Sequence, residues 1–410
     1  MSLTQFLPTP SDRMGILWSL LALENCVILE YGPAGTTHFS IGLFHELGEN
    51  QQNRLFTTHM SEDDVVMGDV TRLEKAILEI DQNFAPKVIF VVASSVAAVI
   101  GTDIKGVCSY MQERVRARLI AFDQGGFRGD YCAGVMETGK LLAQEVALEN
   151  PEVQENKVNL LGFSMGSYRA ASDYRQLTYL LERAFGFQIG ACLCGESNID
   201  AVEQMGGARL NLVLREEGLA AAKILKSRFG TPIVTGCPYG YQGTLDWLEK
   251  IAEKTGCPIE PAFRSELVEK IQGAAQYPMY VRMLKQDQAR AVLVGEYHTI
   301  CGIGRFLQEL GISVEVSLCT HSSKLIGKPS EQVVFSSREK ERLDILHQKH
   351  RCLILADDAS RCVCPADNTI FRISMPVIRG AQIASHLPLM GIEGADQMLE
   401  WVEEYLQTLR

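Results

Sequence analysis

Residues 69–95 read DVTRLEKAILEIDQNFAPKVIFVVASS. Leu73, Ile77, Ile80 and Phe84 recur at steps of three or four, which is the spacing of one helical face, and a helix is expected over 69–84. Pro86 ends that period. Val88-Ile89-Phe90-Val91-Val92 follows without a break, apolar and rich in β-branched side chains. A strand buried on both faces reads this way, and such strands belong to parallel sheets covered by helices.

The same unit recurs along the chain. Further strands are expected at 26–31, 158–161, 188–194, 210–214, 291–295, 313–318 and 352–356. Helices are expected at 173–185, 218–229, 244–254 and 303–310. Strand–helix alternation of this kind implies right-handed crossovers and an α/β fold of doubly wound parallel sheets. The pattern restarts near Val158 and near Ala291, each time after a polar, charged stretch (149–157 and 285–290). The sequence therefore divides into three Rossmann-like modules, 1–154, 155–285 and 286–365. A final segment, 366–410, ends in an amphipathic helix over 395–409 that needs a groove for its Leu and Trp side chains.

Composition narrows the function. The chain has 410 residues, 46% hydrophobic, with 50 acidic against 39 basic residues and a net charge of −11. That excess would repel phosphates, which argues against nucleic acid and anionic membranes as partners. The apolar run 14–23 is half the roughly 20 residues that a membrane-spanning helix takes. No basic segment precedes it, so neither a signal peptide nor an anchor is expected and the chain reads as cytoplasmic. The 12 cysteines should then be thiols or metal ligands.

No phosphate-binding loop, zinc-protease motif or dinucleotide fingerprint is present. Gly162-Phe163-Ser164-Met165-Gly166 does match the nucleophile-elbow pattern, with Asp357 or Asp358 and then His386 available to complete a triad. The competing reading is a glycine-rich turn that opens the second module. Cys192-x-Cys194 and Cys362-x-Cys364 have spacing poorly suited to tetrahedral zinc and read more simply as buried or loop thiols. Asp357-Asp358 closes a strand at a carboxyl edge, where open sheets bind ligands, or else caps a helix.

Several segments together resemble component 1 of nitrogenase and its relatives. Gly32-Pro33-Ala34-Gly35-Thr36-Thr37-His38 is similar to a strand-terminal turn of that family. Asp63–Asp69, Pro86–Val91 leading to Ile100-Gly101-Thr102-Asp103-Ile104, and Gly126-Phe127-Arg128-Gly129 are similar to three further elements in order. Ala208–Val213, Pro238-Tyr239-Gly240, Arg372–Val377 and Met390–Gly394 extend the likeness over almost the whole chain. The resemblance implies three Rossmann-like domains around a central cleft. It also implies a dimer or an α2β2 assembly with a homologous sister subunit, electrons from an ATP-dependent iron–sulfur reductase, and an iron–sulfur cluster at the subunit interface. Family activities run from dinitrogen and tetrapyrrole reduction to cofactor assembly.

Carried over residue by residue, the likeness breaks at the metal sites. The three interface-cluster cysteines of the family fall here at Ser11, Thr36 and Ser95, and Asp12 is the nearest carboxylate. Hydroxyls are poor ligands for iron, which prefers thiolates. No cofactor or metal is therefore expected on the isolated chain, and a cluster only with a partner subunit. In the cleft, Cys132 and Met136 stand where nitrogenases carry a glutamine and a histidine, and Arg215 stands in place of the cofactor's cysteine. Methionine delivers no proton, so this is not itself a dinitrogen-reducing subunit. Arg215, Arg128 and His38 are the candidates for holding anionic groups. The resulting expectation is a subunit of a nitrogenase-like reductase whose partner supplies the cluster ligands. The alternatives are a non-catalytic scaffold for a metallocofactor or its precursor, and a hydrolase using Ser164.

Overall fold

The computed structural model describes residues 9–37, 54–192, 197–283, 289–336, 338–376 and 387–409. Three parallel sheets organise them. The first contains β1 (Cys26–Tyr31), β2 (Leu55–Thr57), β3 (Val88–Ala93) and β4 (Arg118–Phe122), in the spatial order β2-β1-β3-β4. The second contains β5 (Gln154–Leu161), β6 (Gln188–Cys192), β7 (Ala208–Val213) and β8 (Ile233–Thr235), in the order β8-β7-β5-β6. The third contains β9 (Arg290–Gly295), β10 (Ser313–Cys319), β11 (Val333–Phe335), β12 (Leu353–Ala356) and β13 (Thr369–Arg372), in the order β11-β10-β9-β12-β13. Every pairing within these sheets is parallel.

The apolar runs behave as their composition requires. All six residues of β3 are buried, as are all six of β1. Their register pairs Cys26 with Val88 and Tyr31 with Ala93, so the two strands end level with each other. In each sheet the chain leaves one central strand to build one side and returns to build the other. That reversal makes a crevice at the carboxyl ends of β1 and β3, of β5 and β7, and of β9 and β12, where a doubly wound sheet binds its ligand.

The sequence reading differs from the structure at several element ends. The helix expected over 69–84 runs from Thr71 to Phe84, and a separate helix, Glu62–Met67, precedes it and ends at Gly68, whose φ of 66° is left-handed. Ser61 and Asp64 form a reciprocal capping box on that preceding helix. β5 begins at Gln154, inside the stretch read as a linker, because Gln154 pairs with Ala208 and Lys157 with Gln188. β13 adds a fifth strand to the third sheet from within the expected C-terminal segment.

Two hydrophobic clusters tie the sheets together. One joins Ile16, Leu17 and Trp18 to Phe90 of the first sheet and to Leu161 and Val213 of the second. The other joins Leu160 and Leu212 of the second sheet to Leu293 and Leu355 of the third. The helix Gly391–Thr408 buries Met398, Val402 and Leu406 in that second cluster. It is the groove-seeking amphipathic helix of the sequence, and its groove is formed by the helices Ala170–Phe185 and Tyr241–Thr255 and by β13, where Trp401 stacks on Phe371. No described helix is long and apolar enough to cross a membrane.

Candidate functional site

The three crevices open toward one another, and a cavity of about 280 Å³ lies where they meet. The first lobe lines it with Ser11, Arg13, Trp18, Ser95 and Tyr131. The second contributes Gly166, and the third contributes Glu296, Thr320, Arg342 and Ser374-Met375-Pro376. Several of these are the first or second residue after a strand. Ser95 lies just past β3, Glu296 follows β9, Thr320 follows β10, and Ser374 lies just past β13.

The helix Asp12–Leu20 forms the floor. All nine of its residues are buried, Asp12 and Arg13 included. Such burial is possible because the charges are matched. Arg13 Nη1 donates to Glu30 Oε1 at 2.5 Å, and Thr37 Oγ1 donates to the other oxygen of Glu30 at 3.1 Å. A side chain at Gly15 would strike the carbonyl of Tyr131 at 2.0 Å, so this helix packs directly on the backbone of the helix Tyr131–Leu141.

Ser11 and Ser95 converge. A β-carbon placed on Gly126 would lie 3.2 Å from Ser11 Oγ and 3.6 Å from Ser95 Oγ, so the two hydroxyls flank the glycine of the 126–129 turn. Gly126 has a φ of 98°, which favours glycine. Thr36 stands at the end of β1, beside Gly32 and Ser94, with its hydroxyl donating to Pro33 O at 2.8 Å. Ser11 and Ser95 thus lie close to each other, and Thr36 lies at the carboxyl end of β1. The donors are hydroxyls, which do not fit an iron–sulfur cluster. Asp12 does not make good the loss. Burial raises the pKa of its carboxyl, and Oδ2 accepts from Arg128 N at 3.3 Å. Among the described residues no three His, Cys, Asp or Glu side chains are grouped to hold a metal ion.

The cleft candidates fare differently from the sequence expectation. Arg215 does not offer a free charge. It is buried, with Nη1 2.5 Å from Glu296 Oε2 and 3.0 Å from Ser167 Oγ, and it lies over the Phe163 ring. It sits at the second sheet's crevice but not on the cavity wall. Arg128 faces solvent, where it pairs with Asp123 at 3.5 Å. The turn that carries it points outward because its glycine backbone is what packs against Ser11. Cys132 is buried in the helix Tyr131–Leu141 and hydrogen-bonded to Glu217. Burial first, then the nearby carboxylates, raise its thiol pKa well above the usual range. His38 lies outside the described residues, as do Cys194 and His386.

The Gly162–Gly166 turn is shaped by packing. Gly162 has a φ of 83°, and a β-carbon there would meet Arg215 O at 2.4 Å. A β-carbon on Gly166 would meet the Trp18 ring at 2.2 Å. Ser164 is buried, and among the described residues no histidine bonds to it. Asp357 is a helix N-cap, its carboxylate accepting from Ser360 N at 2.8 Å.

Sequence reasoning missed Glu296, Tyr131 and Arg342. Glu296 could have been found, since it directly follows a strand in a doubly wound module. It accepts from Tyr131 Oη at 3.1 Å, which joins the first lobe to the third. Arg342 carries no local signal, because it lies inside a helix and reaches the cavity only through the fold.

A family model described as nitrogenase component 1 type oxidoreductase matches residues 11–407. The nitrogenase iron-molybdenum cofactor biosynthesis protein NifE of Clostridium pasteurianum is 28% identical over 283 residues, 68% of this chain and 61% of that protein. NifE of Nostoc sp. is 30% identical over 62% of this chain and 53% of that protein. The chain thus matches just over half the length of these two relatives. A subunit of the light-independent protochlorophyllide reductase of Prosthecochloris aestuarii is 23% identical over 83% of this chain and 67% of that protein. Among solved structures, nitrogenase Cp1 at pH 6.5 superposes with a TM-score of 0.79 and 16% identity. It covers 99% of this chain and 94% of that one, and shows the same fold.

Proposed function

Because the chain belongs to the nitrogenase component 1 type oxidoreductase family, we propose that it is a cleft-forming subunit of a nitrogenase-like cytoplasmic reductase. In this reading a homologous sister chain supplies the thiolates for any interface cluster. This chain contributes the ligand cavity and part of the interface wall. One observation supports the proposal: Ser11 and Ser95 flank Gly126 and both line the cavity, as a cluster site that had kept its place and lost its thiols would. An ATP-dependent iron–sulfur reductase would be the electron source.

A second reading, a scaffold for a metallocofactor or its precursor, is favoured by the likeness to the two NifE proteins, whose names describe cofactor biosynthesis. Anaerobic purification decides between them. The chain alone is expected to carry no stoichiometric iron or sulfide, whereas the complex with a cysteine-bearing sister subunit carries both. Reduction of that complex by an ATP-dependent reductase supports the first reading. A loaded complex that accepts no electrons supports the second. Stoichiometric iron and sulfide on the isolated chain would overturn the reading that a sister chain supplies the cluster ligands.

A further inference from the structure

Among the described residues three charged side chains line the cavity: Arg13, Glu296 and Arg342. Two have their counter-charge beside them. Arg13 meets Glu30 at 2.5 Å, and Glu296 meets Arg215 at 2.5 Å. Arg342 is only 8% exposed, yet among the described residues no carboxylate oxygen lies within the 4.0 Å of an ion pair from its guanidinium. Its described hydrogen bond is to Ser336 O at 2.8 Å. A guanidinium has five N–H donors, so among the described residues most of its fork has no partner. Burial lowers its pKa, partly offset by the more distant Asp357 and Glu339. Among the described residues the wall therefore carries one positive charge with no ion-pair partner, only partly offset by carboxylates farther away, a costly arrangement unless a ligand completes it.

Resting on the reading of this cavity as the ligand site, we propose that Arg342 makes it a receptor for the carboxylate of a small organic acid. The apolar remainder of the acid would lie against Met14, Trp18 and Met375. The planar fork matches a carboxylate in two parallel hydrogen bonds. A single cation balances a monoanion, whereas a phosphate dianion would leave one negative charge buried. At about 280 Å³ the space lies just under the range of about 300–1,000 Å³ usual for drug-sized ligands, so the acid is small. Trp18 is on the wall and reports occupancy by its fluorescence.

The test titrates the full chain with phenylacetate, its uncharged analogue 2-phenylacetamide, and inorganic phosphate, read by tryptophan fluorescence and calorimetry. Phenylacetate should bind about ten-fold or more tightly than the amide, the ratio expected of one charge-assisted pair. Phosphate should not displace it. Arg342→Gln should abolish the preference for acid over amide, and Arg342→Lys should keep part of it. Equal binding of acid and amide by the wild-type chain, no binding of either, displacement by phosphate, or an unchanged preference in Arg342→Gln overturns the inference. The wild-type comparison stands alone if Arg342→Gln does not fold. An acid-selective cavity in a chain that forms no metal-bearing complex keeps this inference and removes the reading above. A loaded complex whose cavity ignores charge does the reverse.

Discussion

Asp173 and Met390 are joined by a 2.9 Å hydrogen bond in which the Met390 backbone N–H donates to a buried carboxyl oxygen, and Leu389 N–H donates to the same oxygen at 2.6 Å. Met390 is the N-cap of the helix Gly391–Thr408 and brings no capping side chain of its own. A carboxyl on the helix Ala170–Phe185 thus caps a helix some two hundred residues downstream. Burial pushes the Asp173 pKa up to about 7, against the two N–H donors and the charges of Arg215 and Arg169.

A pH dependence follows. Unfolded aspartate ionises near pH 3.9. Between about pH 4 and pH 7 the folded chain holds a proton that the unfolded chain has released, so this group lowers stability as pH rises through that window and adds no further slope above it. Asp173→Asn keeps an acceptor oxygen and should flatten this slope. Asp173→Ala leaves two N–H groups unpaired and should cost about 1–3 kcal/mol. Urea unfolding at several pH values checks both.

Arg215→Met should be among the more damaging substitutions. It strands Glu296 beside the cavity without its partner at 2.5 Å, and breaking a buried pair typically costs about 3–5 kcal/mol. The double variant Arg215→Met, Glu296→Gln should recover part of that loss. Equal instability of the single and double variants in denaturant titration would contradict the pairing.

Restoring thiols should restore the cluster site. The triple variant Ser11→Cys, Thr36→Cys, Ser95→Cys, reconstituted anaerobically beside the sister subunit, should take up more iron and sulfide than the wild type and gain visible charge-transfer absorbance. No gain in either would mean that the hydroxyls are not what keeps iron away.

Ser164→Ala should leave stability within about 1 kcal/mol of wild type, and any activity untouched. Gly162→Ala should destabilise the chain by roughly 1–3 kcal/mol, since its β-carbon meets Arg215 O at 2.4 Å on a left-handed backbone. Thermal unfolding of the two variants separates a packing turn from a nucleophile. A Ser164→Ala chain that loses hydrolysis would restore the elbow reading.

The parallel sheets were legible because strands such as Val88–Ala93 are apolar on both faces, and only a helix-covered sheet accepts them. The helix Asp12–Leu20 was not, because burial all round leaves no amphipathic period to detect. The gathering of Ser11 and Ser95 at the first sheet's crevice was legible through family spacing. The fate of the cations was not. Arg215 and Arg128 looked alike as isolated positive charges, and only packing turns one into a partner of Glu296 and the other toward water. Arg342 becomes visible only when the third lobe closes over the first.

Thr9 Oγ1 donates to Thr320 O at 3.4 Å, across 311 positions of chain. The chamber is thus shut by two segments far apart in the chain. Contacts of such long separation cost the most loop entropy and are favoured late. A guest molecule would bias that final latch and barely touch the steps before it. It would slow the opening of the finished protein far more than it speeds its assembly.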